Sequence, residues 1–275
     1  MKLFFRQKKA EPSLPLVSII TATYNAAETL ERTIGSVVQQ IYKNIEFIII
    51  DGLSGDNTLP VVKAAAKKDK RIRFLSEKDQ GAYDAMNKGI SMCRGDWIYF
   101  LGADDMLINE NILQELFDSG YFNQDKVFYG NVMIEGDTSW AKDREIYAGE
   151  FDLARLLEQN ICHQAIFYPR TMIRKAGLFN TEYTVCADWD YNLRCYALSP
   201  FLYVDKVITR FRGGGISTVI KTDPFLEDLP GNIISCFSLD PGDPNLVIPG
   251  SPFRKIIENY SKLQEKKTNQ QNSGQ

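Results

Sequence analysis

Two adjacent carboxylates, Asp104 and Asp105, directly follow the apolar run 97–101. Two like charges at a strand end repel one another, and an oxygen-seeking divalent cation, Mg²⁺ or Mn²⁺, is the usual compensation. Taken alone, the pair reads equally as a solvated acidic turn leading into a helix near Asn109. Three further apolar runs end in the same kind of polar cluster. Thr21, Thr23, Tyr24 and Asn25 close the run 16–21; Asp51, Gly52, Ser54, Gly55 and Asp56 follow 45–50; Glu77, Asp79 and Gly81 follow 72–75; Gly102 and Ala103 precede the acid pair. Any one of these acids reads as a helix N-cap. Carboxylates after three of four runs instead mark the place where open α/β sheets bind ligands, beyond the carboxyl ends of the strands.

The runs that must position these residues are short, continuous and rich in Ile, Val and aromatics, the pattern of strands buried on both faces. Between the first two, Ala27, Leu30, Ile34, Val37, Val38 and Ile41 recur at steps of three and four. Ala82, Ala85, Met86, Gly89, Ile90 and Cys93 do the same before the fourth, so both stretches read as amphipathic helices. Asp56, Asn57 and Thr58 offer N-caps to a helix ending in the charged run 67–71. The expected fold class is therefore α/β, a mostly parallel sheet flanked by helices. After Asp105 the pattern becomes α+β, with helices near 109–118, 152–158 and 188–198 and strand-like segments at 127–134 and 164–168. The expected organisation is a tail over 1–14, a domain over 15–220 with halves 15–105 and 106–220, and a C-terminal extension over 221–275. Pro224, Pro230, Pro241, Pro244, Pro249 and Pro252 are expected to interrupt any long element in that appended extension, and the polar ending QEKKTNQQNSGQ to be disordered.

With 275 residues, 44% apolar and 24% charged, the chain has the profile of a globular protein. A chain this long buries roughly 70–75% of its unfolded surface and needs neither disulfides nor a structural metal. The formal charge of −3 and the lack of a basic stripe exclude a dedicated nucleic-acid binder. Five cysteines at irregular spacing, without a C-x-x-C pair, argue against a disulfide framework or zinc ribbon and fit a reducing, cytoplasmic setting. Leu3, Phe4 and Phe5 are too few for a secretory apolar region of about 7–15 residues, and no stretch approaches the roughly 20 apolar residues that cross a bilayer.

The segments VSIITATYNAAETLERTIGSVVQQIYKNIEFIIIDGLSGDNT, SEKDQGAYDAMNKGI and GDWIYFLGADD, in that order and spacing, resemble the nucleotide-sugar-binding half of inverting family 2 glycosyltransferases with the Rossmann-like GT-A fold. CHQAIFYPR, ADWDYNLR and FRGGGIST resemble the acceptor half of bacterial members that build O-antigen and other surface polysaccharides. The likeness covers residues 16–218. It implies a donor pocket lined by Thr21, Thr23, Tyr24, Asn25, Ser54, Gly81, Gly102 and Ala103, with Asp51 and Asp79 at the base or ribose. Asp104 matches the metal-binding acid of the family's D-x-D element, Asp105 supports it, and Gly102 stands where the strict motif has its first acid. Lys88 and Arg94 are candidates to approach phosphate, although exposed helix cations are commonly just solvated. Asp188 matches the catalytic base, in a pair whose usual Glu is replaced by Ala187; on its own it reads as the N-cap of the helix it opens. The His163-Gln164 pair is placed on the acceptor or diphosphate side, with His163 a candidate metal contact. Trp189 and Tyr191 read as sugar-stacking or core residues, Asp190 as a first-turn acid, and Arg212 as a loop charge closing over the diphosphate.

The implied activity is metal-dependent transfer of a hexosyl or N-acetylhexosaminyl group from a nucleoside diphosphate sugar, UDP by default, to a hydroxyl of a lipid-linked glycan. Peripheral contact with the inner face of the cytoplasmic membrane follows only from that acceptor class, since the basic-apolar segment over 2–9 binds a membrane marginally. A nucleotidyltransferase is disfavoured because the loop TATYNAAE lacks the Gly, Lys and Arg of a phosphate loop. A sugar-binding module without catalysis is the non-enzymatic alternative, supported only by Gly102 and Ala187.

Overall fold

The computed structural model describes residues 14–138, 141–147, 149–215 and 223–273. The basic-apolar segment over 2–9 and the last three residues of FRGGGIST lie outside the described residues. Four parallel strands carry the first half: β1 (Val17–Thr23), β2 (Ile45–Asp51), β3 (Ile72–Ser76) and β4 (Trp97–Phe100). Alternation along them divides the core in two. Val17, Ile19, Phe47, Ile49, Trp97 and Tyr99 pack on one face with α1 (Leu30–Val38) and α2 (Thr58–Lys68); Ile20, Ile48, Ile50, Ile98 and Phe100 pack on the other with α3 (Ala82–Met92). Both faces are covered, which is why these strands are apolar throughout.

The second half adds β5 (Met106–Leu107), β6 (Phe128–Glu135), β7 (Ile146–Tyr147), β8 (Ile166–Pro169) and β9 (Leu202–Arg212) to the same sheet. The order is β3-β2-β1-β4-β8-β6-β9-β5, with β7 on β6. The expectation of a mostly parallel sheet holds up to β4; β8 runs antiparallel to β4 and β6, β7 to β6, and β5 to β9, so the whole sheet is mixed. Helices α4 (Ile112–Asp118), α5 (Leu153–Leu156), α6 (Arg170–Ala176) and α7 (Ala187–Leu198) connect and cover these strands.

The C-terminal residues meet expectation only in part: Pro241, Pro244, Pro249 and Pro252 lie in the irregular stretch 237–253, but the residues on either side of it are helical. They form α8 (Phe225–Cys236) and α9 (Arg254–Ser273). Pro230 lies inside α8, where it removes one helical hydrogen bond; the carbonyl left without that donor belongs to Leu226, which is half exposed, while Phe225, Pro230 and Ile233 are buried. The polar ending continues as helix to Ser273 because α9 starts from the buried Ile256 and Ile257, so helix nucleation is already complete before the polar residues begin. The segment is packed rather than appended: Phe225 and Ile233 belong to the core beneath α3 and α7. Among the described residues no helix is long and apolar enough to cross a membrane.

At the amino ends of the strands, Glu46 is buried and accepts hydrogen bonds from the Ser18 hydroxyl at 2.7 Å, Arg73 at 3.1 Å and Arg94 Nε at 3.1 Å. Burial alone raises such a carboxyl, but the bonds from Ser18, Arg94 and Arg73 outweigh it and hold Glu46 below its ordinary value. A depressed folded-state value gives stability that is present above the unfolded value near pH 4.3 and lost as pH falls through the folded one. Glu46→Gln is expected to cost roughly 1.5–3 kcal/mol at neutral pH and to flatten the acid limb of stability, measured by urea unfolding across pH 3–7.

Candidate active site

The carboxyl ends of β1, β2 and β4 open into a cleft of about 1040 Å³. Its first wall is two loops fastened together. The Asn25 N–H donates to Ser54 Oγ at 2.9 Å, the Gly55 N–H to Asn25 Oδ1 at 2.9 Å, the Ala26 N–H to Thr58 Oγ1 at 2.8 Å and the Ala27 N–H to Asp56 at 3.1 Å. Asn25 takes a positive φ of 50°, tolerated by Asn better than by most residues. Thr23, Tyr24 and Asn25 line the cleft, Tyr24 exposed at its mouth and Thr23 buried with no hydrogen-bond partner for Oγ1 among the described residues.

The residues expected at the base or ribose separate into two kinds. Asp51 is fully buried, accepting Ser54 Oγ at 2.5 Å and Ser76 Oγ at 2.6 Å, and does not reach the cleft wall. Ser54 serves as the bridge from Asp51 to the Asn25 loop. Asp79 does line the cleft, beside Gly81, and its carboxylate sits over Gly52, where a Cβ would come within 2.5 Å of Oδ2. Thr21 is buried and donates to the Leu101 carbonyl at 2.8 Å, tying β1 to the end of β4. Lys88 lies away from the cleft because it is held by Glu77 at 3.1 Å, Asp84 at 3.3 Å and the Lys78 carbonyl at 2.7 Å. Arg94 is at the opposite end of the sheet, paired with Glu46.

Gly102, Ala103, Asp104 and Asp105 form the floor. Asp105 is buried; Oδ1 accepts the Arg212 N–H at 2.8 Å, and the Gln164 side chain lies close enough to lower the carboxyl. Burial first, then the neighbouring Asp104, pushes the Asp105 carboxyl up to about 7. Burial also raises Asp104, partly opposed by the Arg212 charge. Gln164 is anchored from behind, its carbonyl accepting Tyr99 Oη and Thr209 Oγ1, each at 2.6 Å. Arg212, Gly213, Gly214 and Gly215 close this side.

A divalent cation fits this floor. Two adjacent carboxylates, one fully buried and both raised in pKa, are only partly compensated by the nearby Arg212, and hard oxygen ligands suit Mg²⁺ or Mn²⁺. Among the described residues no group of three or more His, Cys, Asp and Glu side chains could enclose a metal, so most of the cation's ligands would have to be ligand oxygens and water.

His163 also lines the cleft, near Asp105, and its Nδ1 lies 2.8 Å from Asp188 Oδ2. The two residues are 25 positions apart, brought together by the turn before β8 and the first turn of α7. Asp188 Oδ1 accepts the Trp189 N–H at 2.8 Å, and the N-cap is Cys186, so Asp188 is not itself the cap. Asp188 is not among the residues that line the cleft, but its side chain is 14% exposed, as is that of His163 beside it. Trp189, half-buried, donates Nε1 to the Leu156 carbonyl at 2.8 Å and packs on Phe225, and Tyr191 is fully buried; neither is among the residues that line the cleft. Asp190 is buried against Arg194 at 2.9 Å. Sequence reasoning missed Lys78, Tyr83, Thr184, Val185 and Phe211 on the wall; Ala82, Ala85 and Met86, read as core, line it too.

The sequence profile described as Glycosyl transferase family 2 matches residues 18–177. A PGL/p-HBAD biosynthesis glycosyltransferase of Mycobacterium bovis (strain BCG / Pasteur 1173P2) is 37% identical over 224 residues, covering 78% of this chain and 84% of the relative. Among solved structures, S. aureus TarS 1-349 in complex with UDP aligns with a TM-score of 0.65 at 15% identity over 80% of this chain, which spans 65% of that one. The mannosyltransferase PcManGT from Pyrobaculum calidifontis, in complex with GDP-Man and Mn²⁺, aligns with a TM-score of 0.59 at 15% identity, over 92% of this chain and 70% of that one. The sheet and helices described above are the GT-A fold. With the profile covering more than half of the chain and a relative at 37% identity along most of both sequences, the chain belongs to glycosyl transferase family 2.

Proposed function

We propose that this glycosyltransferase moves a sugar, with inversion, from a nucleoside diphosphate donor, UDP-linked in the first instance, to a hydroxyl of a glycan acceptor. The observation that carries this reading is one cleft lined by Asp104, Asp105 and His163, with Asp188 held 2.8 Å from the histidine. The bound neighbours fit it: TarS is described with UDP and with UDP-GlcNAc, PcManGT with GDP-Man and Mn²⁺. Tyr24, Thr23 and Asp79 hold the nucleoside. The unpartnered Thr23 hydroxyl is a ready hydrogen-bond donor or acceptor there. Asp104, assisted by Asp105, would hold Mg²⁺ or Mn²⁺, which when bound neutralises charge on the departing diphosphate. Arg212 adds a second positive charge on that side.

Acceptor activation falls to the His163–Asp188 pair. A hydroxyl attacking the anomeric carbon must lose its proton to a group within hydrogen-bond reach. Asp188 Oδ2 is the atom assigned that proton: its carboxylate is 14% exposed beside His163, which lines the cleft and keeps Nδ1 2.8 Å away. The acceptor is read as a lipid-linked glycan of an O-antigen-like surface polysaccharide, which would bring the chain to the inner face of the cytoplasmic membrane as a peripheral protein.

The test is a panel of UDP-, GDP- and dTDP-sugars with Mn²⁺, Mg²⁺ or chelator, read by thermal shift and by transfer. At a hundredfold excess over Kd, mass action gives about 2.7 kcal/mol, roughly 5 °C or more for a chain of this size. The expected result is a cation-dependent shift with one nucleotide class. No shift with any donor, and no transfer, would leave the non-catalytic module as the better account.

A further inference from the structure

Helix α7, which carries Asp188, begins on a residue that does not cap it. Cys186 is the N-cap and makes no side-chain cap hydrogen bond; a thiol is a weak acceptor beside the Ser, Thr, Asp or Asn preferred there. The acceptor comes from the C-terminal segment. Asp223 Oδ2 accepts the Val185 N–H at 2.7 Å, the Cys186 N–H at 3.3 Å and the Thr184 hydroxyl at 3.4 Å. Its other oxygen accepts the Phe225 N–H at 2.9 Å and so opens α8. One buried carboxylate therefore joins the starts of two helices. Bonds to an ionised acceptor are about twice as strong as neutral ones, and negative charge at a helix N-terminus is favoured by the helix dipole.

The segment that Asp223 grips is fixed from other sides as well. Tyr83 Oη donates to the Val185 carbonyl at 2.6 Å. Phe225, fully buried, places its ring 5.4 Å from both Tyr183 and Trp189. The Tyr183 hydroxyl donates to Asp228 at 3.1 Å and accepts from Asn232 at 2.9 Å, both on α8. Thr184 and Val185 are part of the cleft wall, and Asp188 follows Cys186 by two residues. Where this segment sits decides where Asp188 meets His163.

We propose that Asp223 is a positioning residue for sugar transfer: by holding residues 184–186 it aims the Asp188 carboxylate at His163, and the segment after β9 is a working part of the acceptor side. The proposal rests on the reading of Asp188 given above. The donor-side residues stand on the ends of β1 and β4 and the loop after β3, none of which Asp223 contacts. Its loss therefore acts on turnover and not on donor affinity. A catalytic group misplaced by about 1 Å can cost on the order of 10²-fold.

The experiment measures transfer kinetics and donor-induced thermal shift for the full chain carrying Asp223→Ala, Asp223→Asn or Asp188→Asn. Asn keeps one acceptor oxygen and presents an amide where the other stood, so one of the two helix starts keeps its bond. The expected result is a kcat lowered roughly 10–100-fold in Asp223→Ala and less in Asp223→Asn, with donor KM and donor-induced shift within about twofold of wild type. A lower melting temperature with unchanged kcat per folded molecule marks a purely structural role and overturns the proposal. So does an Asn variant in which donor KM worsens in step with kcat. Should Asp223→Ala fail to fold, Asp223→Asn decides on the same criteria. Turnover retained in Asp188→Asn overturns the reading of Asp188 itself; turnover lost there and retained in both Asp223 variants overturns only the positioning role.

Discussion

Asp188→Asn is expected to lower sugar transfer by roughly 10²–10⁴-fold, the usual range for loss of a general base, while donor affinity stays within about twofold. The substitution is close to isosteric, and the local bonds can survive it. Asn Oδ1 can still accept the Trp189 N–H now held at 2.8 Å, and Nδ2 can donate to His163 Nδ1 in the tautomer that leaves that nitrogen unprotonated. What is lost is the capacity to take a proton. Transfer assayed with saturating donor, beside thermal shift with the same donor, separates the two functions. Equal loss of transfer and donor binding would place Asp188 in the donor site or in the framework, against the role of base assigned to it beside His163. An unchanged rate would transfer the role of base to another group altogether.

The strand ends were legible in the sequence because burial on both faces makes β1 to β4 continuous apolar runs, and because each run stops where polar residues begin. The register then brings the ends level: Thr23 pairs with Asp51, and Asp51 with Ser76. What could not be read was which polar side chain at a strand end turns to the cleft and which turns inward. Asp51 and Asp79 look alike in the sequence, yet two serine hydroxyls hold Asp51 inside while Gly52 leaves room for Asp79 above it. β9 was hidden for a different reason. Asp205, Lys206, Arg210 and Arg212 break its apolar pattern, although Lys206 pairs with Glu115 at 2.7 Å and Asp205 with the Tyr203 hydroxyl at 3.1 Å. The contact of His163 with Asp188, and of Asp223 with residues 184–186, are long-range products of the sheet order, to which no local spacing points. In the sequence Pro230 reads as a breaker, because the burial that offsets its missing hydrogen bond is tertiary.

Gly102→Asp, which restores the first acid of the family's D-x-D element, is expected to damage the donor site as much as Asp104→Ala. A Cβ at position 102 runs into Asp105 Oδ2 and comes within 3.2 Å of Asp104 Oδ1. Asp105 cannot retreat, because the Arg212 N–H holds Oδ1 at 2.8 Å and the residue is buried. Overpacking of this kind costs roughly 1–3 kcal/mol. A third carboxylate then adds repulsion where burial and Asp104 already push Asp105 up to about 7. The combined effect is a loss of donor affinity on the order of 100-fold, about 2.7 kcal/mol, with the cation-dependent thermal shift removed. Gly102→Ala isolates the steric part and should fall between wild type and Gly102→Asp. Isothermal titration of donor in Mn²⁺, with each variant beside Asp104→Ala, measures both. Tighter cation or donor binding by Gly102→Asp would mean that Asp105 swings aside and that the floor accepts three acids; weaker binding means that the glycine is what allows Asp105 its buried place under the site.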